Sequence, residues 1–443
     1  MWTTNAAAVA ACDRVGAAAW CGYADDLLGR VSRHVVRPES RTRLGAMLLA
    51  LLSRQGPRNC WTLAEQAGEA RPWGMQHLLA RAVWDTDAVT GELRGFVVEH
   101  LGAADGILVV DETGDLKKGR HTVGVQRQYT GTAGRIENAQ VGVYLGYASR
   151  RGHAMVDREL YLPRSWTDDP DRCAAAGVPV DVGFATKPAL ATAMIERALD
   201  AGVPAGWVTA DEVYGADPRL ARCLEERGIG YVLAIAGHRR LPVDAATSRT
   251  AVQIAGDLPR RAWQIRSAGA GAHGLRRYAW AWVELNPRTA AAQRHPENHE
   301  QKSPGDWSLL IRRNLITGEL AFYRCHTPTP TTLAQLIGVA GRRWTIEESF
   351  QAGKGLAGLD EHQVRRWTPW RRWTLLAMLA HALLAVITAA EREHHPADAG
   401  LIDLTCAEVR RLLAATLAPL AAPVDALAHA ADWSLWRRDH QHR

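Results

Sequence analysis

Two short stretches, ILVVDETG and WVTADEVYG, each end an apolar run on an acid, Asp111 and Asp211. Each acid is followed by a glutamate and then by a turn containing glycine. An aspartate at the carboxyl end of a buried strand takes a place an apolar residue would fill, and ligands of open α/β sheets gather at such ends. One such aspartate is explained as a turn or helix cap. Two in the same setting point to a shared cation site. Hard divalent ions take oxygen ligands, and two-metal phosphoryl transfer uses carboxylates to hold ions about 4 Å apart.

A third acid comes from RRWTIEESFQAGKG, residues 342–355. On one helix, Arg343, Glu347 and Lys354 share a face, with Ile346, Phe350 and Gly353 as the adjoining apolar stripe. A carboxylate between two cations suits a metal ligand beside a phosphate backbone. Taken alone, Arg343 and Glu347 would be a surface ion pair of little worth. The two aspartates favour the metal reading, and helical phase favours Glu347 over Glu348. The expected cofactor is Mg²⁺, two ions held by Asp111, Asp211 and Glu347, with Mn²⁺ as a substitute. Lys117, Lys118, Arg120 and Arg127 follow the first aspartate and suit either the neutralisation of phosphates or an ordinary solvated loop. RRWTPWRRW, residues 365–373, mixes cations and aromatics as nucleic-acid surfaces do, and as a tryptophan-rich core also does.

The elements that must position these residues are legible from periodicity. TLAEQAG and WGMQHLLARAVW read as two short helices joined by EARP, a helix-turn-helix candidate or a plain helical hairpin. GILVVD, AQVGVYLGYA and HAMVDRELYL read as strands, and GWVTAD and GYVLAI as two more. TKPALATAMIERALDAG and DPRLARCLEERG are the helices between the later strands. This order predicts an α/β fold, a mixed sheet with helices packed on it. RRYAWAWVEL, WSLLIRR and LAFYR are looser strands, interrupted by the polar stretch PRTAAAQRHPENHEQKSPGD, expected as an exposed loop. WTLLAMLAHALLAVITAA reaches the lower length limit for a membrane span, but its alanines and His381 fit a buried helix better, and no membrane partner is expected.

The chain has 443 residues, 47% of them hydrophobic, enough for a sizeable core and several domains. Its 53 basic against 47 acidic residues give a net charge of +6, a mild hint of a polyanionic partner. Its 7 cysteines are scattered and never spaced as metal-ligand pairs, which fits reduced thiols in the cytoplasm. A nucleotide-binding loop is disfavoured, because Glu348 stands where a phosphate loop needs its first glycine.

The combination resembles the DDE transposases of bacterial insertion sequences whose third acid lies in a Tyr-x2-Arg-x3-Glu-x6-Lys signature. Arg343, Glu347 and Lys354 match that signature, while Ala340 stands at the tyrosine position. VVDETGDLKKG, VGVQRQYTGTAGRIENAQVGVYLGYAS, RELYLPRSWTDD, GFATKPALA and TADEVYGADPRL are similar to the insertion-sequence 701 family, in the family's order. The resemblance implies a ribonuclease-H-like core interrupted by a β-rich insertion between the second aspartate and the glutamate. It divides the chain into a helical DNA-binding domain (1–103), the first part of the core (104–237), the insertion (238–328), the second part of the core (329–395) and a helical tail (396–443). It implies Asp111, Asp211 and Glu347 as Mg²⁺ ligands and Arg343 and Lys354 as contacts to the transposon end. The implied partner is double-stranded DNA, transposon ends and target, bound by a homodimer at the nucleoid. The implied activity is cleavage at the element's ends and joining of the 3′-hydroxyls to target DNA. A catalytically silent DNA-binding repressor, or a nuclease that cuts without joining, is the alternative.

Overall fold

The computed structural model describes residues 17–53, 56–243, 247–271, 274–285, 306–394, 402–421 and 425–442. The polar stretch expected as an exposed loop falls almost wholly outside the described residues. The described chain begins with helices α1 (Ala17–Ser32), α2 (Pro38–Leu52), α3 (Cys60–Gln66), α4 (Trp73–Ala80) and α5 (Thr86–Leu101). Asn59 caps α3, accepting from the backbone of Trp61 and Thr62, and Asp85 caps α5. The two helices read as a helix-turn-helix are thus α3 and α4. α4 buries Met75, Leu78 and Leu79, as its spacing required.

Strands β1 (Ile107–Leu116), β2 (Gln126–Thr130), β3 (Arg135–Ala148) and β4 (His153–Leu160) follow. Then come α6 (Lys187–Asp200), β5 (Trp207–Ala210), α7 (Glu212–Gly215), α8 (Pro218–Glu226) and β6 (Gly230–Ile235). β3 pairs antiparallel with both β1 and β4, while β1, β5 and β6 run parallel. Three antiparallel strands continued by two parallel ones make the ribonuclease-H-like sheet. The parallel strands are apolar because helices cover them.

Beyond β6 lie the small hairpin β7 (Arg240–Pro242) and β8 (Ser248–Thr250), then β9 (Gln264–Gly271), β10 (Gly274–Leu285), β11 (Asp306–Asn314) and β12 (Leu320–Thr327). β9 to β12 continue the main sheet, because β12 pairs antiparallel with β6 from Phe322 opposite Ile235 to His326 opposite Tyr231. The result is one 10-stranded sheet, ordered β2-β3-β1-β5-β6-β12-β11-β10-β9 with β4 beside β3. A second small core, with Ile235, Ile254, Leu309 and Phe322, fills the space under the added strands.

The chain then forms α9 (Leu333–Arg342), α10 (Thr345–Ala357), α11 (Trp367–His394), α12 (Cys406–Ala421) and α13 (Ala426–His442). α11 is long and apolar enough to span a bilayer by length and composition, and 89% of its most apolar window is buried inside the fold. Burial pushes the His381 imidazole down to about 3, so it sits neutral in the core. RRWTPWRRW belongs mainly to this core: Trp367, Trp370 and Trp373 are buried, and Arg372 donates to the carbonyls of Leu78, Leu79 and Ala82.

α10 lies on the sheet at a notch. A Cβ on Gly146 of β3 would come within 2.8 Å of Ile346 Cδ1, so a larger residue there would make the Ile346 side chain shift where the helix seats. Ile346, Phe350 and Gly353 form its buried stripe.

Candidate active site

Asp111 and Asp211 are brought side by side by strand register. In the parallel pair β1·β5, Val110 is opposite Ala210, so each aspartate is the next residue along its own strand direction. The two are not equivalent. β5 stops at Ala210, and Asp211 caps α7, its Oδ1 accepting from the backbone N–H of Val213 at 2.9 Å and of Tyr214 at 3.4 Å. Asp111 was expected to end its strand, but β1 runs on to Leu116. Its other edge stays paired with β3, from Glu112 opposite Val143 to Leu116 opposite Ala139. Side chains alternate along a strand. Asp111, Thr113 and Asp115 therefore share one face and Glu112 takes the other.

Arg343 was expected on the same helix as Glu347. It lies instead at the junction of α9 and α10, where Thr345 Oγ1 bonds the Arg342 carbonyl and the two helices part. Both junction residues keep helical backbone angles, so the four-residue spacing still works. Arg343 Nη2 donates to Glu347 Oε1 at 2.8 Å, and its Nη1 stands 3.6 Å from Asp111 Oδ2. One guanidinium thus links the first aspartate to the third acid. Glu348 turns away: its carboxylate lies 3.3 Å from His153 Nε2, and that imidazole holds it below the usual carboxylate range.

The electrostatics are those of a site short of positive charge. Burial pushes the Asp111 carboxyl up to about 7, with the Asp211 charge adding to the effect and Arg343 opposing it. Burial, and then the charge of Glu112, push Asp211 up as well. Among the described residues, no group of three or more His, Cys, Asp or Glu is gathered closely enough to hold a metal ion as the side chains stand.

A residue not singled out in the sequence completes the site. Glu112 Oε1 accepts from Lys187 Nζ at 2.5 Å, and Oε2 accepts from the Tyr214 hydroxyl. The Glu112 backbone N–H donates to Asp111 Oδ1 at 2.8 Å. Since the Tyr214 backbone N–H donates to Asp211 Oδ1, a continuous chain of bonds ties the first aspartate to the second. The repeated DE pair was visible, but its partners are remote in sequence and follow no period.

The expected DNA contacts are spread. Lys354 is half-buried on α10, with Nζ 3.5 Å from Thr132 Oγ1. Lys117 Nζ donates to the His362 carbonyl at 3.3 Å, and burial pulls its ammonium below the ordinary value. Lys118, Arg120 and Arg127 are exposed, Arg127 on the edge strand β2. Ala340 is buried and lines a cavity of about 40 Å³ beside Arg343, Tyr278, Trp280 and Tyr323.

The family model described as DDE superfamily endonuclease matches residues 30–292. A probable transposase for insertion sequence element IS701 from Microchaete diplosiphon is 29% identical over 175 residues, 39% of this chain and 43% of that relative. The match thus spans less than half of the relative's length. Among solved structures, a piggyBac transposase synaptic complex with hairpin DNA is 11% identical, with 90% of this chain and 76% of that chain covered at a TM-score of 0.44. The NurA nuclease from Sulfolobus solfataricus is 8% identical, with 63% and 81% covered at a TM-score of 0.24.

Proposed function

Because this chain belongs to the DDE superfamily endonucleases, we propose that it is a DNA transposase that cuts at the ends of an insertion sequence and joins the freed 3′-hydroxyls to target DNA. The observation that carries this reading is the register of β1 on β5, which sets Asp111 beside Asp211, with Arg343 joining Asp111 to Glu347. The IS701 relative, a probable transposase, points the same way.

The donor set fits Mg²⁺. It is all carboxylate oxygen, and an Asp111 carboxyl raised to about 7 by burial and a neighbouring acid is a group that a bound cation would relieve. Asp111, Asp211 and Glu347 would hold the ions, with Mn²⁺ as a substitute. Bound there, two divalent ions supply a hydroxide nucleophile at neutral pH and charge stabilisation for the leaving oxygen.

The chain's own groups bind and orient. In the DNA complex the Arg343 guanidinium passes from the carboxylates to a phosphate at the transposon end, which frees Glu347 to face the aspartates. Lys354 follows it along the same helix. Lys117, Lys118, Arg120 and Arg127 neutralise further phosphates. In cleavage, a water oxygen bonds to phosphorus as the bond to the 3′-oxygen breaks, leaving a 3′-hydroxyl and a 5′-phosphate. In joining, that 3′-hydroxyl attacks a target phosphodiester and displaces the target's 3′-oxygen. α3 and α4 read the element's end, and two copies act on paired ends in the bacterial cytoplasm, at the nucleoid.

The test is incubation with Mg²⁺ and DNA carrying the element's own ends, comparing the wild type with Asp211→Ala. Loss of cleavage by roughly a thousand-fold or more is expected from removing one carboxylate of the set. Undiminished cleavage by the variant sinks the site assignment. Cleavage without strand joining to a supercoiled target favours the nuclease reading.

A further inference from the structure

The β1–β2 loop and the segment between α10 and α11 enclose a cavity of about 270 Å³, far more than one water needs. Lys117, Lys118, His121, His362 and Arg365 line it, and no carboxylate is among the lining residues. Such a one-sided set of cations around a concave surface attracts an anion.

A second observation is independent of that charge count. His362 is buried, at 3% exposure, and its Nε2 is 2.9 Å from Asp115 Oδ2. Its other ring nitrogen, Nδ1, is buried and has no hydrogen-bond partner. A buried polar atom without a partner costs free energy, and a small shift of the ring towards the cavity would let an anion there supply one. Asp360 is the other acid close enough to act on Lys117, and it does not line the cavity.

The walls are fixed in advance. Asn138 Nδ2 donates to the Lys117 and Gly119 carbonyls, the Val123 N–H donates to the Arg365 carbonyl at 2.9 Å, and Gln140 holds the Val123 carbonyl at 2.7 Å. A pre-set pocket loses little ordering entropy on binding.

We propose that this cavity is a docking pocket for one backbone phosphate of the bound DNA, with Lys118 and Arg365 as donors and His362 Nδ1 joining them by a small shift of its ring. The inference rests on the DNA-cleaving reading above and adds to it a second anchoring point. Lys117, the first residue past β1, is six residues beyond Asp111, which at about 3.3 Å per residue is roughly 20 Å. That corresponds to about half a turn of duplex from the scissile phosphate. Lys354 stands between, close enough for its charge to act on Asp115 and Lys117. The pocket thereby sets which way the duplex leaves the catalytic carboxylates.

The test is fluorescence anisotropy of a labelled duplex carrying the element's end, titrated without divalent metal at several salt concentrations. Arg365→Ala with Lys118→Ala removes two exposed side chains. It is expected to weaken binding roughly ten-fold or more and to lower the salt slope by about 1–2. Arg366→Ala removes the same charge one residue on, outside the lining, and is expected to change affinity less than about two-fold. His362→Gln is read with a thermal midpoint, and the exposed double variant decides the matter if His362→Gln does not fold. Equal slopes for the wild type and the double variant overturn the pocket and leave the transposase reading standing. Absence of any duplex binding by the wild type overturns both. A parallel arm uses inorganic phosphate: stabilisation of the wild type but not the double variant, with unchanged duplex affinity, assigns the pocket to a free anion and overturns the proposal.

Discussion

The guanidinium of Arg343 stands 3.6 Å from the carboxylate of Asp111, a contact between the junction of two helices and the middle of a strand. The same group holds Glu347, so one positive charge serves two acids. Removing it leaves the Asp111 charge facing Asp211 without relief. Metal-free Arg343→Ala is expected to unfold several degrees below the wild type at pH 8, with a smaller loss at pH 5, where Asp111 carries its proton. Arg343→Lys restores charge but not the two-pronged geometry, and recovers only part of the loss. Melting curves at the two pH values check this, and an equal loss at both would remove Asp111 from the explanation.

The raised Asp111 carboxyl makes a prediction of definite sign. Its folded value of about 7 lies above the roughly 3.9 of an unfolded chain, so the folded state keeps a proton that the unfolded state has released. The stability this group contributes is complete below about pH 4 and is lost as pH rises through about 7. Asp211 is shifted in the same direction. Asp111→Asn is expected to stabilise the metal-free protein by roughly 1–3 kcal/mol at pH 8 and by almost nothing at pH 4. Denaturant titrations across that range measure it; a variant less stable than the wild type at pH 8 would refute the buried-charge account.

The chain of bonds through Glu112 and Tyr214 links the two aspartates, and Tyr214→Phe breaks it at one bond while leaving the packing in place. Loss of that bond is expected to cost about 1 kcal/mol of stability. It is expected to lower kcat for cleavage roughly ten-fold with KM for DNA nearly unchanged, because the group positions the carboxylates and does not touch the duplex. An unchanged kcat, or a loss confined to KM, contradicts a positioning role.

Much of this was legible in the chain. Buried strands announce themselves as apolar runs, and all five read for the core are present, as are the two helices between the later ones. Asp111 and Asp211 stood out because an acid ending such a run needs a reason. The second half of β1 was hidden. Glu112, Gly114 and Asp115 lack a strand-like pattern, and their pairing with β3 is a property of backbone bonds. The break at Arg343 and Trp344 was hidden too, since Gly341 lies inside the preceding helix and the break itself turns on a single threonine hydroxyl that captures the Arg342 carbonyl. Tryptophans at 367, 370 and 373 face the core, where periodicity could not choose between core and surface. Glu112 with Lys187, and His362 with Asp115, join positions far apart in sequence, and nothing short of the folded chain brings them together.

The pairing of β12 on β6 has a consequence for how this architecture can be taken apart. If strands β9 to β12 formed a separate lobe, deleting them would leave a minimal nuclease. Here they are the continuation of the same ladder, and their removal strips the partner from β6 and leaves a bare apolar edge, a template for self-association. The two parts are therefore expected to fold only together, and any shortening of this chain has to begin elsewhere.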